Sequence, residues 1–129
     1  MDIETFNNII KNGVINSPDA YEFVHQVSER ALKISADING SYHKPEELRA
    51  LLSELIGSEV DESVRVFPPF SSDFGLNIKL GKNVFINAGV KMQDQGGITI
   101  GNGCLIGHNV VFATINHGEA PSEIGRAHV

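Results

Sequence analysis

Apolar and polar positions follow two different rules along this chain, and the changeover falls near residue 60. Before it, the spacing is helical. Ser17 stands where an N-cap accepts from the first turn, Pro18 suits the first helical position, and Asp19 and Glu22 lie near the positive end of the helix dipole. Tyr21, Val24, Ala31 and Leu32 fall near helical spacing, which predicts a helix over residues 17–38 that ends at Asn39-Gly40. Pro45, followed by Glu46 and Glu47, opens a second helix over 45–56. Its Leu48, Leu51, Leu52 and Leu55 form a stripe at i, i+3, i+4 and i+7, the mark of a face packed on a core, and Gly57 supplies the stop.

From Val64 the rule changes. Val64 and Val66 alternate with polar neighbours, and Pro68-Pro69 excludes a helix. A six-residue repeat then sets in. Phe74, Leu80, Ile86 and Met92 are each six apart; one step of eight leads to Ile100, and Ile106 and Phe112 resume at six. Four positions after these leads stand Ile78, Val84, Val90, Cys104 and Val110. A period of six cannot serve a helix of 3.6 residues per turn, whereas a strand alternating at two places the lead and the residue four later on one face. The pairs Lys82-Asn83, Ala88-Gly89, Asn102-Gly103 and His108-Asn109 suit bends between short strands. Short strands with a corner every six residues describe a parallel β-helix, with three hexapeptides per turn. Ile78, Leu80, Val84, Ile86, Val90, Ile100, Cys104, Ile106 and Val110 are expected to point inward.

Composition narrows the partners. The net charge is −6, and no Lys/Arg cluster exists to neutralise a phosphate backbone, which argues against nucleic acid. The single cysteine, Cys104, has no partner for an internal disulfide and reads as a small core hydrophobe. The start, Met1-Asp2-Ile3-Glu4, has no cationic stretch followed by an apolar one, and no apolar run approaches the ~18 residues of a membrane span, so a cytoplasmic location is expected.

Four segments together carry a resemblance: Phe70 to Gly81 (FSSDFGLNIKLG), Asn83 to Asn87 (NVFIN), Ile98 to Gly107 (ITIGNGCLIG) and Phe112 to Gly118 (FATINHG). In these the chain, from about Pro45 to Gly118, resembles the maltose and galactoside O-acetyltransferases of the hexapeptide-repeat superfamily. The resemblance implies a mainly β fold with N-terminal helices: a left-handed parallel β-helix of hexapeptide repeats preceded by a two-helix segment. It also implies a homotrimer with sites between adjacent subunits, acetyl-CoA as co-substrate, no metal, and a sugar hydroxyl as acceptor. The organisation expected is an N-terminal helical segment over 1–60, an incomplete β-helix over 61–122 and a tail over 123–129 of foreign origin. Residues Ile124–Val129 match the translation of a common sequencing adapter.

Within that resemblance His117, in TINHG, matches the catalytic base. An imidazole with a pKa near ~6.5 suits removal of a proton from an attacking hydroxyl at neutral pH. Asn87, Asp94 and Asp73 match acceptor-binding positions, although each could instead be a corner residue bonding its own backbone. Asp94 lies in the eight-residue step, where the coil is expected to bulge. His108 invites a zinc reading, as in γ-class carbonic anhydrases, but a catalytic zinc wants three protein ligands and the sequence offers no third beside His108 and His117. The family's acetyl-CoA tunnel and oxyanion donor belong to later coils, so the 129-residue piece alone is expected to be close to inactive. A non-catalytic β-helix used for assembly is the alternative.

Overall fold

The computed structural model describes residues 1–11, 17–117 and 127–128, which form three helices and ten short strands. Helix α1 (Ile3–Ile10) was not expected. Asp2 caps it by accepting from Thr5 N at 2.7 Å, and Phe6 and Ile10 bury its inner face. Eight residues do not sustain a helix in water, so α1 depends on the surface it packs against. Helix α2 (Pro18–Gly40) opens as expected, with Ser17 Oγ accepting from Ala20 N at 3.0 Å. It runs through Asn39-Gly40 before ending. Its buried stripe is Ala20, Val27, Ala31, Ile34 and Ile38; Tyr21 and Leu32 are exposed. Helix α3 (Pro45–Ile56) buries Leu48, Leu52 and Leu55 and stops at Gly57, whose φ of 74° is left-handed. Arg30 on α2 donates to the carbonyls of Leu55 and Glu54, satisfying acceptors left over at the end of α3.

The strands stack as a parallel coil. β1 (Arg65–Val66), β4 (Phe85–Ile86) and β7 (Leu105–Ile106) make one face; β2 (Phe70–Ser72), β5 (Val90–Gln93) and β8 (Val111–Ala113) make the second; β3 (Ile78–Leu80) and β6 (Ile98–Ile100) make the third. The register pairs residues twenty apart, Arg65 with Phe85 and Ile78 with Ile98, so a turn of the coil is 20 residues and not the 18 of three strict hexapeptides. The extra pair sits at the corner between the second and third strands of both coils. Met92 pairs with Ser72 and Ile100 with Leu80, so the eight-residue step from Met92 to Ile100 has an unnoticed twin from Ser72 to Leu80. Phe74 is therefore not a lead. It leaves the coil and joins Phe6, Ile10, Ala20 and Val27 in a second apolar cluster, its ring stacked on Phe6 at 5.4 Å.

The bends were read correctly: Asn83, Gly89, Gly103 and Asn109 all take positive φ. The inward set holds for Ile78, Val84, Ile86, Val90, Ile100 and Ile106, which are buried, and Leu80 packs against the same core. It fails for Cys104 and Val110, which are exposed. These two belong to the last of the stacked layers, and no strand among the described residues lies on them to complete their burial.

The opposite end of the coil is closed. Asn39 on α2 donates to the Phe70 carbonyl at 2.8 Å and accepts from Phe70 N at 2.9 Å, so its side-chain amide replaces a neighbouring strand. An open first coil would expose a row of unpaired backbone groups; α2 removes that edge. Beyond β8, the backbones of β9 (Asn116–His117) and β10 (Ala127–His128) pair antiparallel.

Candidate functional site

The corner between second and third strands gathers most of the polar chemistry. Asp94 is its centre and is fully buried. Its Oδ1 accepts from Ser72 Oγ at 2.7 Å and Gly75 N at 2.8 Å, and its Oδ2 accepts from Asn77 N at 3.0 Å. A buried carboxyl is tolerable only when its oxygens are satisfied in this way. Asp94 in the second coil thus ties down the corresponding corner of the first. This also explains why Ser72, and no apolar residue, fills the lead position there.

Asp73 emerges from the same corner on the other side and is exposed, with its backbone N donating to the Met92 carbonyl at 3.3 Å. Partial burial of the carboxyl raises its pKa, and the nearby Asp94 charge raises it further. Asp73 borders a groove of about 320 Å³ whose walls include Leu32, Ser71, Lys91, Gln93 and Phe112. Carboxyl, ammonium and amide groups thus border the groove together with the side chains of Met92 and Phe112.

Asn87 stands at a different corner, between β4 and β5. It is half-buried, and its Oδ1 accepts from Ala88 N at 2.8 Å. No described contact joins it to Asp73 or Asp94. His117 has its backbone in β9, opposite Ala127, at the end of the segment that leaves β8 beside the groove; its side chain lies outside the described residues, as does the stretch 118–126. His108 is exposed, and His43 pairs with Asp37 at 3.4 Å on the helical side. Among the described residues no three His, Cys, Asp or Glu side chains come together to hold a metal ion. No described helix is long and apolar enough to cross a membrane. Sequence reasoning missed Thr114 and Gln93, which bind the segment before His117 to the second-coil corner; only the register between β5 and β8 brings them together.

No family model matches the chain. Among curated proteins it is 36% identical over 78 residues to nodulation protein L of Rhizobium leguminosarum bv. viciae, covering 60% of this chain and 40% of that protein. It is 32% identical over 82 residues to the galactoside O-acetyltransferase of Lactococcus lactis subsp. lactis, covering 63% of this chain and 39% of the relative. The chain thus spans about two fifths of the length of these relatives. Among solved structures it superposes on a hexapeptide-repeat acetyltransferase from Vibrio cholerae with a TM-score of 0.78 and 29% identity, covering 94% of this chain and 66% of that one. A structure of that Vibrio protein complexed with acetyl-CoA matches with a TM-score of 0.70 and 33% identity, over 83% of this chain and 55% of the other. The architecture of helices followed by stacked parallel strands is that of the hexapeptide-repeat acetyltransferase from Vibrio cholerae, and the relatives that the chain matches in sequence include a galactoside O-acetyltransferase, as the motifs led one to expect.

Proposed function

We propose that the full-length protein carrying this chain transfers an acetyl group from acetyl-CoA to a sugar hydroxyl, with His117 as general base. The observation that supports this most is the joint placement of the groove beside Asp73 and the TINH segment leaving β8, in a fold shared with an acetyltransferase solved with acetyl-CoA. His117 takes the proton of the acceptor hydroxyl while its oxygen attacks the acetyl carbonyl. The new C–O bond forms, the C–S bond breaks, and the proton passes to the departing thiolate. Both substrates are held at once and no acetyl-enzyme forms; Cys104 is exposed but is not among the residues that line the groove, and it has no role in the transfer. Asp73 and Asn87 contact the acceptor, and Asp94 supports the site by holding the corner that presents Asp73. The resemblance to the maltose and galactoside O-acetyltransferases implies a homotrimer with sites between adjacent subunits, and in that arrangement Asn87 and Asp73, which share no described contact, reach the acceptor from two subunits. Exposed Phe67, Leu105 and Val111 offer apolar surface for that packing. A cytoplasmic setting suits a lone unpaired cysteine.

The test is acetyl-CoA turnover with a panel of sugars, in wild type and in His117→Ala. Loss of a general base costs typically ~10²–10⁴ in rate, so kcat should fall by about that factor with the fold intact. Near-normal turnover in His117→Ala, or its abolition by Cys104→Ala in a folded protein, would refute the mechanism.

A further inference from the structure

The segment that leads to His117 is fastened at one point. Thr114 Oγ1 donates to the Gln93 carbonyl at 2.6 Å and accepts from Gly96 N at 2.9 Å. Thr114 N donates to that same carbonyl at 3.2 Å, and Ile115 N donates to Gln93 Oε1 at 3.3 Å. The approach is close: a Cβ on Gly96 would lie 2.7 Å from the Thr114 carbonyl, so residue 96 has to be glycine. A hydroxyl that donates in one direction and accepts in another fixes its own rotamer and both backbones at once. The last described side chains before His117 are therefore anchored to the corner that borders the groove, although the face β2–β5–β8 itself ends at Ala113.

We infer that Thr114 is a positioning residue: its hydroxyl, clamped between Gln93 and Gly96, sets where the chain delivers His117 relative to the groove. The inference rests on the function proposed above and gives the register of the TINH segment a catalytic consequence. A base displaced by about 1 Å loses on the order of 10²-fold in rate without losing substrate affinity.

Thr114→Val keeps the shape and removes the hydroxyl; Thr114→Ser keeps the hydroxyl. In the full-length protein Thr114→Val should lower kcat by about 10- to 100-fold while KM for the acceptor stays within about twofold and the pH profile keeps its shape, since the base is displaced but present. Thr114→Ser should recover most of that rate. Amide hydrogen exchange at Asn116 and His117 gives a second reading that needs no turnover: faster in the valine variant, as wild type in the serine variant. Should Thr114→Val not fold, Thr114→Ala replaces it with the same expectations. Unchanged kcat in the valine variant overturns the inference, and so does a matching rise in KM with a fallen melting temperature, which would mark a merely structural threonine. If wild type itself turns over no acetyl-CoA, the proposed function fails, and unchanged exchange at residues 116 and 117 in the valine variant would then overturn this inference separately.

Discussion

Each of the two coils passes from its second strand to its third across eight residues, from Ser72 to Leu80 and from Met92 to Ile100, yet the two corners are held to different degrees. The first is plugged from both sides. Phe74 turns out of the coil into the cluster with Phe6 and Val27, while Asp94 reaches back from the next coil to take up Ser72, Gly75 and Asn77. The second corner has no aromatic plug. It runs Gln95-Gly96-Gly97 and is held by Thr114 from the coil that follows. Each corner is thus fixed by the layer after it, and the first is further fixed by the helices. A coil built this way gains rigidity with each layer, and the groove sits where the buried, over-determined corner meets the lighter one. The lesson is that one repeat length hides two kinds of site: a buried structural knot at Asp94 and a clamp at Thr114 that leads to the residue expected to do the chemistry.

Substitutions can break this contrast. The largest effect should come from Asp94→Ala, which leaves the Ser72 hydroxyl and the Gly75 N–H buried, and the Asn77 N–H part-buried, without their acceptor. Stranding buried donors costs roughly 1–3 kcal/mol each, so urea unfolding should show a loss of about 3–5 kcal/mol. A midpoint within error of wild type, combined with weakened acceptor binding, would instead make Asp94 a direct acceptor ligand and undo the knot.

Next come the positive-φ glycines of the two corners, Gly75 and Gly97. A Cβ at Gly75, at φ 90°, would lie 2.5 Å from the Leu55 carbonyl, whereas one at Gly97, at φ 96°, meets nothing within 4 Å. Gly97→Ala should therefore cost only the conformational penalty of about 1 kcal/mol, and Gly75→Ala about twice that or more, because backbone must also move. Equal losses would mean that the first corner is no tighter than the second.

The smallest effect is at Asp73. Its carboxyl has a raised pKa in the folded state, so the folded protein holds its proton to higher pH than the unfolded chain. The group's contribution is most favourable below the ordinary aspartate value of 3.8 and declines as pH rises through the raised native value. Asp73→Asn removes that ionisation and should be neutral or stabilising by no more than about 0.5 kcal/mol at pH 7, since the side chain is only partly buried and solvent screens it, with the benefit vanishing in acid. A clear destabilisation at pH 7 would show that the ionised carboxylate is needed for the fold.

Much of the architecture was written in the sequence because it follows from short-range rules. Ser17-Pro18 starts a helix by satisfying its first N–H groups, the leucine stripe of α3 has a single buried face, and asparagine or glycine at 83, 89, 103 and 109 marks four of the left-handed bends. The four motifs also pointed to the right set of relatives. Other features were decided only by the packed molecule. Phe74 keeps the six-residue spacing yet leaves the coil, because α1 and α2 offer it an apolar pocket that no periodicity reveals. Asn39 reads as a helix end, but its amide pairs with the backbone of Phe70, thirty-one residues away, because the first strand of that face needs a neighbour. Cys104 has the pattern of a core residue and is exposed, because burial in a stacked coil depends on the layer above and not on the residue itself. Asp94 carries the same carboxyl in either reading; the three donors converging on it come from a coil twenty residues away, and only tertiary register could bring them there.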